Sequence, residues 1–130
     1  MGFITKTKFN AVKVEYDGRK FDSKLECNIY KVLKERLTPN YKIGFQPSFV
    51  LQEKFEFDGH IIRPITYKSD FVIYKDRETE AKAIIDAKGM ETNEFKIKRK
   101  LFIRKYGYDI VILKSMKQAN LWCDNFLSNN

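Results

Sequence analysis

Three charged residues stand at the ends of two apolar runs that lie close together in the sequence. Asp70 directly precedes the run at residues 71–73, Asp86 directly follows the run at 84–85, and Lys88 lies two residues further on. Both runs have the length and the β-branched and aromatic composition of strands. The polar residues 75–80 suffice for a turn, and strands joined so closely pair antiparallel, which predicts that Asp70 lies beside Asp86. Because side chains alternate along a strand, Asp86 and Lys88 are expected on one face.

Two carboxylates beside a lysine can bind a metal ion. Magnesium takes oxygen ligands, usually one or two carboxylates together with phosphate oxygens and water. A neighbouring lysine can orient or deprotonate a water, or offset the charge that develops on a phosphate. A salt bridge between Lys88 and either aspartate is the alternative interpretation of these residues, and it stays open at this stage.

Glu26 is a candidate third carboxylate. A helix over residues 22–37 is predicted by apolar residues at four-residue intervals, namely Leu25, Ile29, Leu33 and Leu37. Ser23 and Glu26 have the spacing of a capping box, which gives Glu26 a structural role at the start of the helix. At about 100° per residue, Glu26 also falls within the apolar stripe, where a buried carboxylate needs a partner such as a metal ion or a lysine. Both roles remain open.

The composition limits the class of protein. At 130 residues, residues 1–130 fit one compact domain, and the 43% apolar and 15% aromatic content argues against disorder. The net charge of +8 suggests a polyanionic partner, of which DNA is one. Cys27 and Cys123 lie far apart, without the spacing of a zinc site. Neither a signal peptide nor a membrane span is evident, which predicts a cytoplasmic protein without a membrane partner.

The rest of the chain alternates between strand and helix patterns. Hairpins are predicted at residues 9–20 and 55–63, strands at 41–51, 67–74, 83–89 and 109–113, and helices at 93–106 and 115–127. Pro47 marks an irregularity in the first of these strands. Gln46 beside it is a possible accessory residue, which either hydrogen-bonds near the site or is exposed.

The helix predicted at residues 93–106 is strongly basic. Phe95, Phe102 and Tyr106 fall on one side of it, with Arg99 in the same stripe. Its candidate contacts to a phosphate backbone are Lys96, Lys98, Arg99, Lys100 and Arg104, with Arg99 nearer the site. The alternative interpretation is a solvated amphipathic helix.

The order of these pieces resembles the PD-(D/E)XK nuclease superfamily. Glu26 lies on the first helix, Asp70 on a central strand and Asp86-Ala87-Lys88 on the next, ahead of the basic helix. More narrowly, residues 21–26, 46–47, 67–71, 86–89 and 95–100 resemble small phage-encoded proteins related to Holliday-junction resolvases of the endonuclease I type. Two departures are Ser69, where the superfamily pattern has proline, and Asp86, where many members have glutamate.

The resemblance implies an α/β (α+β) fold: a restriction-endonuclease-like αβββαβ core, with a mixed central sheet flanked by helices and an N-terminal hairpin. It also implies that Asp70 and Asp86 hold Mg²⁺ or Mn²⁺, that Glu26 completes the site directly or through water, and that Lys88 positions or activates the attacking water. By analogy, a homodimer is expected.

The expected function is a metal-dependent DNA endonuclease selective for branched DNA, acting in phage recombination or DNA processing in a host bacterial cytoplasm. Two alternatives remain. One is a nicking or end-processing nuclease without junction preference. The other is a non-catalytic nucleic-acid-binding module of the same fold, whose carboxylates are salt-bridged.

Overall fold

A computed structural model describes residues 13–129 and has a mixed α+β fold. The helices in this range are α1 (Lys24–Leu37), α2 (Asn93–Tyr106) and α3 (Met116–Asn129). The strands are β1 (Val14–Tyr16), β2 (Arg19–Phe21), β3 (Tyr41–Phe45), β4 (Ser48–Gln52), β5 (Phe55–Phe57), β6 (His60–Ile62), β7 (Ile65–Lys68), β8 (Phe71–Lys75), β9 (Ala81–Ala87) and β10 (Val111–Leu113).

The helices form where capping residues and apolar spacing predict them. At the start of α1, the Ser23 hydroxyl accepts a hydrogen bond of 3.1 Å from the backbone N–H of Glu26. Thr92 caps α2 in the same way through the N–H of Phe95, and Gly107 ends that helix with a φ of 80°. These caps satisfy backbone groups that have no partner within the helix. All three predicted helices are confirmed within two residues.

A four-stranded mixed sheet lies at the centre of the fold, in the order β10-β9-β8-β3. The pairs β3–β8 and β8–β9 are antiparallel, whereas β10 runs parallel to β9. A parallel neighbour requires a crossover connection, and α2 supplies it between β9 and β10. The predicted antiparallel pairing of the two apolar runs is confirmed, with Phe71 opposite Ile85.

Helices cover both faces of this sheet. On one face Ile73 and Ile85 are fully buried with residues of α1 and α3, including Ile29. On the other face Val72 and Ile84 are buried with aromatic residues of α2. Burial on both faces explains why β8 and β9 read as continuous apolar runs rather than alternating ones.

Two long strands are broken at the same level. The irregularity expected at Pro47 is confirmed, since β3 and β4 are separated there and Gln46 has a φ of 50°. The expectation of one strand over residues 67–74 is wrong, because β7 ends before Ser69 and β8 begins after Asp70. The breaks face each other: the N–H of Gln46 donates to the carbonyl of Asp70 at 3.0 Å, and that of Ser69 to the carbonyl of Pro47 at 3.1 Å. The left-handed conformation of Gln46 between β3 and β4 is therefore hydrogen-bonded to the break between β7 and β8.

Beyond this bend the chain continues as paired strands. β4 pairs with β7, and β5 pairs with β6 in a separate two-stranded sheet around the predicted turn at Asp58 and Gly59. The N-terminal hairpin is present as β1 and β2, around a turn at Asp17 and Gly18. Residues 9–12 of that predicted hairpin lie outside the described residues. Within residues 13–129, no helix has the length and apolar character needed to cross a membrane.

Candidate active site

Asp70 and Asp86 meet at the bend, as their strand positions predict. The backbone N–H of Asp70 donates a hydrogen bond of 2.8 Å to Oδ1 of Asp86. In return, the backbone N–H of Ala87 donates one of 2.8 Å to Oδ2 of Asp70. The two carboxylates therefore each bind the backbone of the other's strand, and the strand pairing fixes their separation.

Asp86 is the buried member of the pair. Its side chain is 1% exposed, and its Oδ2 accepts a hydrogen bond from the hydroxyl of Tyr67. The ammonium of Lys88 lies 3.8 Å from the same oxygen and 4.5 Å from the centre of the Phe95 ring. Asp86 and Lys88 are thus on the same side of the sheet, as predicted, and the long ion pair between them keeps the salt-bridge interpretation open.

Sequence reasoning missed Tyr67. It lies three residues before Asp70, and in a regular strand that odd separation would place the two side chains on opposite faces. The break at Ser69 and Asp70 changes this relation, so Tyr67 contacts Asp86 from β7. The available signal was a tyrosine in an apolar run, because a buried tyrosine hydroxyl usually finds a hydrogen-bond partner.

Glu26 faces the same region from α1. The residue is 7% exposed, so the expectation that it points to the core side of the helix is confirmed. Its backbone N–H donates to the Ser23 cap, and the residue lines a cleft together with Asp70 and Lys88. The capping position and the cleft position are therefore compatible in one residue.

The cleft has a volume of about 850 Å³ and opens to solvent. It lies where the start of α1, the bend, the end of β9 and the start of α2 converge. Its charged lining residues are Lys13, Asp22, Glu26, Lys68, Asp70, Lys88, Glu94 and Lys98. The cleft thus combines a cluster of carboxylates with several lysines, a composition suited to phosphate and a cation.

The pKa values of all three carboxyl groups are raised, which means that the negative form of each is disfavoured at this site. Burial raises the pKa of Glu26 to about 7, with further increases from the charges of Asp22 and Asp86. Burial and then the neighbouring charges of Asp86 and Glu26 raise the pKa of Asp70. The pKa of Asp86 is also raised by burial, although the Tyr67 hydrogen bond and Lys88 oppose the increase. A cation in the cleft would relieve this repulsion.

The donor chemistry of the cleft suits a hard divalent cation. Among residues 13–129, no group of three His, Cys, Asp or Glu side chains is arranged to hold a metal ion. Carboxylate oxygens are nevertheless the ligands that magnesium prefers. Asp70 lines the cleft, and its carboxylate accepts the backbone N–H of Ala87 through Oδ2. Glu26 lines the same cleft, and the pKa values of both groups are raised by burial first and by neighbouring carboxylates second.

The basic residues of α2 that were predicted to contact DNA lie in three different surroundings. Lys98 lines the cleft and lies 3.2 Å from Glu94, whereas Lys96, Lys100 and Arg104 are exposed. Arg99, expected nearer the site, instead makes hydrogen bonds of 2.8 and 2.7 Å to the two carboxylate oxygens of Asp109. Its guanidinium therefore ties α2 to the segment that enters β10.

Gln46 contributes to the site through its backbone. Its side chain is exposed, and it is not among the residues that line the cleft. Its N–H instead holds the carbonyl of Asp70 at the bend. Of the two alternatives for the Gln46 side chain, a hydrogen bond near the site or exposure, the structure shows exposure.

Fold and site together define a mixed α+β domain with an acidic, lysine-lined cleft at a bend in its sheet. The chain belongs to the family described as Protein of unknown function (DUF1064), whose model matches residues 6–120. That span includes Glu26, Asp70, Asp86 and Lys88. No curated protein and no solved structure matches the chain.

Proposed function

We propose that this protein is a metal-dependent DNA endonuclease that hydrolyses phosphodiester bonds in branched DNA, in the manner of a Holliday-junction resolvase. The observation that carries the proposal is the pair of Asp70 and the buried Asp86 beside Lys88, next to a cleft that Asp70, Lys88 and Glu26 line. Burial raises the pKa values of three carboxyl groups near one ammonium group, and perturbed pKa values of this kind cluster at functional sites.

The order of elements supports this reading. The chain runs α1, β3, β8, β9, α2, β10 through the mixed sheet, which is the αβββαβ order of the proposed restriction-endonuclease-like core. Asp70 precedes the second of these strands, and Asp86 lies near the end of the third. Fold alone does not define function, so the proposal depends on the site.

In the proposed reaction, Asp70 and Asp86 would hold Mg²⁺ or Mn²⁺, and Glu26 would complete the site directly or through water. When bound, such an ion polarises the scissile phosphate and lowers the pKa of a water. Tyr67 fixes the orientation of the Asp86 carboxylate, as an outer-shell hydrogen-bond donor does for a metal ligand.

Lys88 supplies the nearby positive charge. Its ammonium is confined between Asp86 and the Phe95 ring, at the edge of the cleft. There it can donate a hydrogen bond to the attacking water and offset the charge that the phosphate gains in the transition state. The attacking water gives up a proton to solvent and bonds to phosphorus, the phosphorus–oxygen bond to the leaving sugar breaks, and the leaving oxygen takes a proton from solvent.

DNA binding is assigned to the basic surface of α2 and to the cleft lysines. Lys96, Lys100 and Arg104 project into solvent from α2, and Lys13 and Lys68 line the cleft. Because the protein has a net charge of +8, we expect it to bind the phosphate backbone with a strong dependence on salt and with little specificity for base sequence. Selectivity then rests on the shape of the DNA.

One observation favours a second candidate, a non-catalytic nucleic-acid-binding module. Both oxygens of Asp86 already have partners, in Tyr67 and the N–H of Asp70, and Lys88 is within ion-pair distance. A closed network of this kind can serve structure alone. Such a module would bind DNA and leave it intact whichever metal is supplied.

Cleavage assays with matched lysine variants distinguish the candidates. The substrates are a labelled four-way junction, a nicked duplex and a linear duplex, each with Mg²⁺, with Mn²⁺ and with chelator. The variants are Lys88→Gln and, as a control, Lys68→Gln, which removes a lysine of the same cleft that makes no contact with Asp86. We expect junction cutting that requires metal. At saturating protein it should fall on the order of 100-fold in Lys88→Gln, whereas Lys68→Gln should lose only DNA affinity, by about one phosphate contact.

The other outcomes are equally informative. Cutting of all three substrates would retain the nuclease and remove the junction preference. Equal losses in the two variants would mean that Lys88 only attracts DNA. Binding without cutting under any condition would favour the module.

A further inference from the structure

Residues 88–92 connect β9 to α2, and we call them the connector. Four of the five line the cleft, and Glu91 is the exception. The Glu91 side chain is only 21% exposed. A carboxylate that is mostly covered needs compensating charge, so the partners of Glu91 indicate its role.

Glu91 joins two elements through its two carboxylate oxygens. Its Oε1 lies 3.6 Å from Nη1 of Arg99 on α2. Its Oε2 lies 3.2 Å from Nζ of Lys114, which directly follows β10. Arg99 also binds Asp109, two residues before β10. These ion pairs therefore link the connector and α2 to both ends of one strand.

The backbone holds the connector to the same strand. The N–H of Lys88 donates a hydrogen bond of 3.1 Å to the carbonyl of Leu113, the last residue of β10. Lys88 and Glu91 thus contact consecutive residues, Leu113 and Lys114. The connector is fixed to the end of β10 at two points, one through the backbone and one through an ion pair.

Phe95 relates these ion pairs to the site. The ammonium of Lys88 lies over the Phe95 ring, 4.5 Å from its centre, and 3.8 Å from Oδ2 of Asp86. The distance to Asp86 is long for a hydrogen bond and a lysine stem is flexible, so the ring contributes to the placement of the ammonium. Arg99 lies four residues after Phe95 and therefore on the same side of α2. The pair of Glu91 and Arg99 thus acts on the side of the helix that contacts Lys88.

We propose that Glu91 is a positioning residue for Lys88. Its pairs with Arg99 and Lys114 hold the first turns of α2 against the end of β10, and this keeps the Phe95 ring against the ammonium. The catalytic consequence rests on the nuclease activity proposed above, whereas the placement of Lys88 does not. Ion pairs with partly exposed partners contribute little to stability, so we expect the effect of Glu91 in the position of Lys88 rather than in the free energy of unfolding.

NMR of the full chain with labelled lysines, without DNA or metal, tests the placement independently of cleavage. An aromatic ring shifts the signals of protons above its face upfield. The ε-methylene protons of Lys88 are therefore expected upfield of those of the exposed lysines. The Lys88 signal is identified by its absence from the spectrum of Lys88→Gln.

Two variants should change this signal and a matched control should not. Glu91→Gln and Lys114→Gln each remove one partner of an ion pair, and each is expected to move the Lys88 signal towards those of the exposed lysines. The Lys114 side chain is 48% exposed, so Lys114→Gln provides the test even if Glu91→Gln does not fold. Glu53→Gln is the control, because Glu53 lies 3.7 Å from Lys105 and its loss removes an ion pair at the other end of α2.

Cleavage of a four-way junction at saturating protein tests the catalytic consequence. A small misplacement of a catalytic group can cost up to about 100-fold in rate, so Glu91→Gln is expected to cut more slowly. Its affinity for the junction in chelator should not fall, since a negative charge is removed. In a Lys88→Gln background, Glu91→Gln is expected to cause no further loss, because its effect passes through Lys88.

Three results would overturn the proposal. These are an unchanged Lys88 signal in Glu91→Gln and Lys114→Gln, an equal change in Glu53→Gln, and losses of cleavage rate that multiply in the double variant of Glu91 and Lys88. If the wild type cuts no DNA, the protein is not the proposed nuclease, and the NMR signals still decide whether Glu91 positions Lys88.

Discussion

Asp70 and Asp86 each hold the backbone of the other's strand. The N–H of Asp70 donates to Asp86 at 2.8 Å, and the N–H that follows Asp86 donates to Asp70 at the same distance. The placement of these carboxylates thus depends on the backbone, which is more rigid than a side-chain rotamer. The bend at Gln46 and Ser69 provides that backbone, so the site and the break in the strands are one feature.

Tyr67→Phe is expected to weaken metal binding without unfolding the protein. The substitution removes the hydroxyl that donates to Asp86 and retains the buried ring. Loss of an outer-shell partner typically costs 10–100-fold in metal affinity or activity, roughly the effect expected here. The measurement is the Mg²⁺ concentration required for half-maximal cleavage. Tyr41→Phe, at another buried tyrosine, is the control, and equal values in wild type and Tyr67→Phe would contradict the role of Tyr67.

Glu26→Gln is expected to remove a pH dependence of stability in the presence of chelator. The unfolded glutamate ionises near pH 4.5, whereas the buried one has a pKa of about 7. Between these values the native state retains a proton that the unfolded state has lost, so the wild-type free energy of unfolding falls as pH rises. The Glu26 contribution to this fall is about 3 kcal/mol, an order-of-magnitude figure. Urea unfolding from pH 4 to pH 8 measures this contribution. If the free energies of unfolding of the wild type and the variant change in parallel with pH, Glu26 makes no such contribution.

Arg99 and Lys100 are adjacent in the sequence and are expected to have different roles. Arg99→Ala breaks the bidentate pair with Asp109, and because both groups are partly exposed the expected loss of stability is about 1 kcal/mol. Lys100→Ala should change stability by less than about 0.5 kcal/mol and reduce the salt dependence of DNA binding by about one phosphate contact. Thermal unfolding and binding isotherms at several salt concentrations test the pair. A reversed pattern would show that Arg99 is the DNA contact.

Gly44→Ala is expected to destabilise the sheet. An added Cβ would lie 2.7 Å from Cγ1 of Val72 and 3.2 Å from the Tyr74 ring, both on the neighbouring strand β8. Overpacking of this kind typically costs about 1–3 kcal/mol. Gly89→Ala is the control, because its added Cβ has no neighbour closer than 3.9 Å. Equal free energies of unfolding for the two variants would contradict the packing around Gly44.

The sequence was sufficient for features that depend on local spacing. The four-residue apolar spacing and Ser23 predict α1, and the short polar link between the two apolar runs predicts that Asp70 and Asp86 meet. Both outcomes follow from interactions within a few residues or between strands joined by one turn. The burial of Glu26 was likewise predictable, because the helical period alone places it in the apolar stripe.

The features that were missed depend on residues distant in the sequence. The break at Ser69 follows from the bend at Gln46, which lies on a different strand. That break brings Tyr67 to Asp86, although strict alternation would separate Tyr67 from Asp70. Arg99 falls in the apolar stripe of α2, but its partner Asp109 lies beyond the turn at Gly107. A helical wheel gives the direction of a side chain. It does not identify the residue that the folded chain brings next to that side chain.

The most direct test of the proposed nuclease is cleavage of a four-way junction by wild type, Asp70→Asn and Asp22→Asn, each with Mg²⁺, Mn²⁺ or chelator. Asparagine at position 70 can still accept the hydrogen bond from the N–H of Ala87, and Asp22 is a second acidic residue of the same cleft. We predict metal-dependent cutting by wild type and by Asp22→Asn, and none by Asp70→Asn, which should bind the junction at least as tightly because a repulsive charge is removed. Undiminished cutting by Asp70→Asn, or no cutting by wild type with either metal, would contradict the account.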